Sequence, residues 1–185
     1  MRSTQLITGA LAVAATSALI GLGAAPGNAQ LADNRPPDPM TPGVTHESGK
    51  LLECTGNAGT TPVRANLYQS RTYGNHLEVL VDDGAPGEAG VSRKAATPFV
   101  VGHQVRATAR ISGKRVTISG TAGPTGEVKR VHETVEDAGL RIVSKGTHRL
   151  LAPILTVRYA GRTGRLSCDS AFAFHLNVTK TSIVA

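Results

Sequence analysis

The chain has no tryptophan, and only three tyrosines and three phenylalanines among its 185 residues. Single-stranded nucleic acid is held mostly on rows of stacking rings. No nucleic-acid partner is therefore expected, and no sugar-binding wall of aromatic side chains either. Cysteine is almost as scarce. Cys54 and Cys168 are the only two, no CxxC pair exists, and no histidine lies near either in sequence, which removes the usual thiolate zinc sites.

Catalytic signatures are missing as well. Neither phosphate-cradling glycine motif, G-x-x-x-x-G-K-[ST] or G-x-G-x-x-G, occurs, and no G-x-S-x-G nucleophile elbow is present. His132-Glu133 opens like a zinc-protease motif, but that motif needs a second histidine four residues on, where Glu136 stands. No two of the six histidines (His46, His76, His103, His132, His148, His175) are spaced i,i+2 or i,i+4, so no local metal clip exists. Asp82, Asp83 and Glu88 surround a glycine-rich loop without the spacing of a calcium loop. The sequence thus assigns no catalytic residue, no metal ligand and no cofactor.

One stretch lacks charge altogether. Residues 6–25 run apolar and small after the lone Arg2. Gly27 and Ala29 then stand at the −3 and −1 positions of a cut before Gln30. Residues 1–29 read as a secretory signal peptide cleaved near Ala29. The competing reading is a membrane anchor, because about 20 apolar residues match a bilayer span. The alanine and glycine content and the cleavage-like site favour the signal. No second long apolar run follows, so no transmembrane segment is expected in the mature chain, and the location is extracellular. In that oxidising compartment Cys54 and Cys168 have one possible intramolecular partner each, and a disulfide is expected.

What is present reads as β structure. Residues 30–49 carry Pro36, Pro37, Pro39 and Pro42 without an apolar period, and are expected to be an extended, flexible N-terminal segment. A β domain is expected over 50–180. In residues 99–111, Phe99, Val101, His103, Val105, Ala107, Ala109 and Ile111 alternate with polar residues, as a half-buried strand requires. Ser112-Gly113-Lys114 then turns into Val116 and Ile118. Near the C-terminus, Cys168, Phe172, Phe174, Leu176 and Val178 are expected on one face, with 150–159 as the preceding strand. Shorter strands are expected at 51–54, 63–68, 77–81 and 140–144. Turns are expected at Gly56-Asn57, Gly74-Asn75, Asp83-Gly84 and Lys145-Gly146, with 83–96 as the longest loop. Residues 126–138 fit a strand or a helix; valine and threonine favour the strand.

Eight or nine short strands with hairpin links imply a single all-β domain, an antiparallel barrel or a sandwich. A bridge from first strand to last makes those strands neighbours, or places them face to face. The formal charge of the whole chain is +7, and removal of Arg2 with the leader lowers it by one. Arg106 and Arg110, with Lys114 and Arg115, form a basic stripe suited to an anionic partner. His103, on the apolar face of the same strand, would be either a core histidine held by a hydrogen bond or a polar group inside a lumen, able to orient a ligand. The expected role is a secreted, non-catalytic binding or interaction module. Its partner would be an anionic cell-wall polymer, a small ligand or a protein, with His103, Arg106, Arg110 and Arg115 as candidate contacts. The alternative is an extracellular enzyme whose active site lacks a local motif.

Overall fold

The computed structural model describes residues 43–82, 84 and 89–183. The leader, residues 30–42 of the proline-rich segment, Asp83 and Glu88 lie outside the described residues. Nine strands form one sheet: β1 (Val44–Ala58), β2 (Thr61–Ser70), β3 (Gly74–Val81), β4 (Ala89–Ala95), β5 (Val100–Val101), β6 (Gln104–Ile111), β7 (Lys114–Asp137), β8 (Leu140–Tyr159) and β9 (Arg162–Ser182). Every pair is antiparallel, and the order is β4-β3-β2-β1-β9-β8-β7-β6-β5. Each strand therefore lies beside its neighbour in sequence except at β4 and β5, and β1 and β9 pair instead. The result is a curled half-barrel. Its two edges approach where Arg93 Nη2 donates to the Thr108 carbonyl at 2.6 Å. The Gln69 amide also bonds both backbone groups of Val100, at 3.0 and 3.4 Å.

Alternation builds the core. Leu52, Val63, Ala65, Leu67, Leu77, Val79 and Val81 face inward from β1–β3; Val105, Ala107, Ala109, Ile111, Val116, Ile118, Leu155, Val157 and Tyr159 do so from β6–β8. Each fully buried valine, leucine or isoleucine stabilises the sheet by about 1.5–3 kcal/mol relative to exposure. Cys54 and Cys168 are direct cross-strand partners in β1 and β9, bridged with Cα atoms 3.8 Å apart. The expected contact of first and last strands is met by side-by-side pairing.

Several local expectations are overturned. Lys145-Gly146 is not a turn but the middle of β8, and Gly56-Asn57 lies within β1. Residues 83–96 hold a strand, β4, rather than one long loop. β1 already begins at Val44, inside the segment read as flexible. Residues 126–138 are strand up to Asp137, and Gly139 forms a hairpin turn with Ala138, at φ of 77° and 48° respectively. Gly123-Pro124 does not end β7, because a bulge absorbs it. The register slips between Pro124 and Val128, and the Thr125 hydroxyl fills the gap, donating to the Leu150 carbonyl and accepting from the Glu127 N–H.

The largest difference lies in β9. Cys54 pairs with Cys168 and Glu53 with Ser170, leaving Asp169 unopposed in β1. One extra residue inverts the side-chain alternation. Leu166 and Cys168 face the core, whereas Phe172, Phe174, Leu176 and Val178 lie on the other face of the sheet, opposite Leu51, Gly49, Glu47 and Thr45. The five residues do not share a face. Beyond the bulge, residues 44–51, 128–137, 140–150 and 172–182 form a four-stranded arm. Its apolar side is the outer one. There Phe174 lies 5.8 Å from Tyr68 and 6.5 Å from Phe172, and covers Gly49, where any Cβ would meet both its ring and the Gln69 carbonyl.

The bridge closes a loop of 114 residues in sequence. Chain entropy assigns a loop of that size about 4–5 kcal/mol, a large share of the roughly 5–15 kcal/mol typical of a domain. Urea unfolding of oxidised and reduced protein side by side is expected to show a clearly lower midpoint after reduction. Coincident curves would remove the bridge from the stability of the fold.

Candidate functional site

The outer face of β6–β9 is built by the residues that alternate with the core. Register rows place Arg106, Ser119, Thr156 and Arg165 side by side across four strands, and Thr108, Thr117, Arg158 and Thr163 in the next row. Arg110 and Arg115 form a third. Strand spacing sets Arg106 and Arg165 about 14 Å apart. The stripe expected from Arg106, Arg110 and Arg115 is therefore part of a wider field, to which Arg158 and Arg165 add charge. Those two were missed because their strands read only as hydrophobic patterns; the signal was their place opposite buried Val157 and Leu166.

All five arginines are exposed. Arg110 Nη1 donates to the Gly113 carbonyl at 3.3 Å, and Ser119 and Thr156 share a hydroxyl contact at 3.4 Å. Ion pairs among the described residues, such as Arg141–Glu136 and Lys129–Glu127, lie on the arm or its base. No carboxylate stands in the three rows. Lys114 is not part of the field, since it falls on the other face and its ammonium lies 5.7 Å from the Tyr159 ring.

An open cleft of about 540 Å³ adjoins the field, lined by Thr55, Asn57, Pro153, Arg165, Ser167 and Cys168 among others. Its origin is the same bulge. The β8–β9 ladder breaks between Leu150 and Leu155, and Pro153, which has no N–H to give, occupies the break. The cleft thus presents hydroxyl and guanidinium donors beside a gap in the sheet.

His103 does not join this site. The chain turns at Gly102 and His103 before β6 starts at Gln104, so the alternation changes phase there: Val100 is buried and Val101 exposed. His103 is exposed in that turn, and its carbonyl accepts the Ala122 N–H at 2.8 Å. It is not a group inside a lumen. Asp82 caps its own turn, accepting from the Gly84 N–H at 3.2 Å. His132 and Glu133 are strand neighbours on opposite faces, not the helical pair of a zinc protease. Among the described residues, no group of three or more histidine, cysteine, aspartate or glutamate side chains could hold a metal, and no helix is long and apolar enough to cross a membrane.

Two titratable groups mark the outer face of the arm. Tyr73 donates to Glu47 Oε1 at 2.7 Å, which together with burial pushes its hydroxyl pKa up to about 12. His148 stacks on Phe172 with ring centroids 3.9 Å apart. Burial there favours the neutral imidazole and lowers its pKa, against a smaller opposing pull from Glu133.

No family model matches the chain, and neither does any curated protein or solved structure.

The His148 shift has a defined sign. A histidine with a lowered folded pKa contributes stability that is complete above its unfolded value of 6.5 and is lost as pH falls through the folded one. Thermal unfolding of the parent is expected to weaken more between about pH 7 and pH 5 than that of His148→Phe, which keeps the stack and cannot titrate. Parallel pH profiles for the two proteins would contradict this.

Proposed function

We propose that this chain is a secreted, non-catalytic binding module that holds an anionic polymer, such as a cell-wall polymer, against the outer face of β6–β9. The observation that carries the reading is the field of Arg106, Arg110, Arg115, Arg158 and Arg165, interleaved with serine and threonine hydroxyls and free of carboxylates in its rows. Guanidinium groups match phosphate and carboxylate oxygens in a bidentate fork. The strands beneath fix the spacing of the five groups, so less order has to be created on binding. Hydroxyls between them suit the neutral parts of a polyol backbone, and the cleft beside Arg165 offers room for a substituent. On this reading the curled sheet is an up-and-down barrel open along one seam, between β4 and β5, with its binding surface outside rather than in a lumen.

Net positive charge alone would retain the protein on an anionic matrix, so the test needs a matched control. Arg106, Arg110 and Arg115 changed together to serine should elute at clearly lower salt than the parent. Lys94, Lys145 and Arg149, also exposed, changed together to serine remove the same charge elsewhere and should have less effect. Folding stability should barely move in either, since exposed charges contribute about 0–1 kcal/mol as pairs. Equal elution of the two triple variants would reduce the site to net charge and defeat the proposal.

A further inference from the structure

Among the described residues, β7 has no strand partner along much of one side. Its ladder to β6 ends at Thr121, while its pairing with β8 runs on to Asp137. From Val128 to Asp137 the strand is therefore an edge, with every residue exposed except the half-buried Val131. Ten-residue edges invite another strand, and charge is the usual guard against that. Here the guard has a pattern. Lys129 and Arg130 stand at one end, Glu136 and Asp137 at the other, and Val131 and Val135 lie symmetrically about Glu133.

We infer that two copies of this chain join edge to edge along β7, antiparallel, about a two-fold axis at Glu133. In that register Arg130 faces Glu136 of the second copy, Lys129 faces its Asp137, Val131 its Val135, and His132 its Thr134. The two-fold makes each of these contacts twice. Opposite charges and β-branched pairs directly across a ladder are favourable, and like charges are not. One unfavourable contact remains, Glu133 against itself. Moving the register by two residues either way sets Val131 against Asp137 or Glu133, and no lysine or arginine then faces a carboxylate.

The pairing also conserves the faces. Arg130, His132, Thr134 and Glu136 lie on the side continuous with the core, and each meets a residue from the same side. The two arms then form one sheet whose apolar outer faces, with Phe172, Phe174 and Leu176, run on across the axis. Glu136 keeps its own partner Arg141, at 2.9 Å, and gains Arg130 of the second copy on its other side. An isologous contact of this kind closes at two copies, whereas a head-to-tail edge would propagate.

The test is sedimentation of the intact secreted chain over a range of concentrations. A reversible monomer–dimer equilibrium is expected. Lys129→Asp and Asp137→Lys should each weaken it by about tenfold, since each sets like charges opposite each other twice. The double variant should recover most of the loss, and Glu133→Gln should tighten the dimer. Register is read separately by oxidation: Glu133→Cys should cross-link as a symmetric dimer, and Thr134→Cys, which faces His132, should not. A parent that stays monomeric throughout would overturn the inference, including one whose β7 amides resist hydrogen exchange because another segment covers them. So would a double variant no better than the singles, or equal cross-linking from both cysteines.

Discussion

The rest of the structure depends on the junction of β1 with β9. It joins the two ends of the described chain, and it is where the sheet changes character. The disulfide fixes Cys54 opposite Cys168, and the unopposed Asp169 follows at once. A bulge in a long ladder is free to slip unless something pins it, because a one-residue shift reverses every side chain beyond it. The covalent bridge supplies that pin from one side. Phe174 over Gly49 and Tyr68 supplies it from the other. Between them, the position of the inversion is determined to within a residue.

What the inversion achieves is a division of labour between two ends of one sheet. Below the bulge the inner face is aliphatic and filled, so the outer face of β6–β9 is left to arginines and hydroxyls. Above it the outer face carries the aromatic and aliphatic side chains, and the inner side carries Lys50, Arg130, Lys145 and Arg149, with His46, His132 and His175. Chemistry that a two-layer protein would place on separate layers is placed here along the length of the same strands. The cleft at Pro153 lies at the boundary, where the β8–β9 ladder yields to the extra residue in β9.

The sequence made much of this legible. Alternation over Val105–Ile111 located one strand and its core face, the apolar run over 150–159 located another, and the cysteine count located the bridge. The failures have one cause. Period-two reading assumes that the phase of a strand survives from end to end. At Gly102-His103 a turn changes the phase, which moved His103 from an apparent lumen to solvent. At Asp169 a bulge changes it, which moved Phe172, Phe174, Leu176 and Val178 to the other face. Glycine misled in the opposite way: Gly146 and Gly56 looked like turn signals, yet both lie inside strands paired on each side. Arg158 and Arg165 escaped notice because a two-dimensional field becomes visible only when the registers of four strands are known.

Edges complete the physical account. A sheet that curls without closing has two, here β4 and β5, and the stretch of β7 that outruns β6 adds another; each must be kept from indiscriminate pairing. At the seam, β4 is short and its Arg93 reaches across to the Thr108 carbonyl, so that edge is covered from within. β7 is handled by side-chain charge alone. Charges of a single sign would repel every partner, including a second copy. The segregation of Lys129 and Arg130 from Glu136 and Asp137 repels a parallel, in-register copy, and the antiparallel register centred on Glu133 sets both cations against carboxylates, which a shift of two residues either way does not. Such a pattern is selective rather than merely protective, and it is the difference between an edge that is blocked and an edge that is addressed.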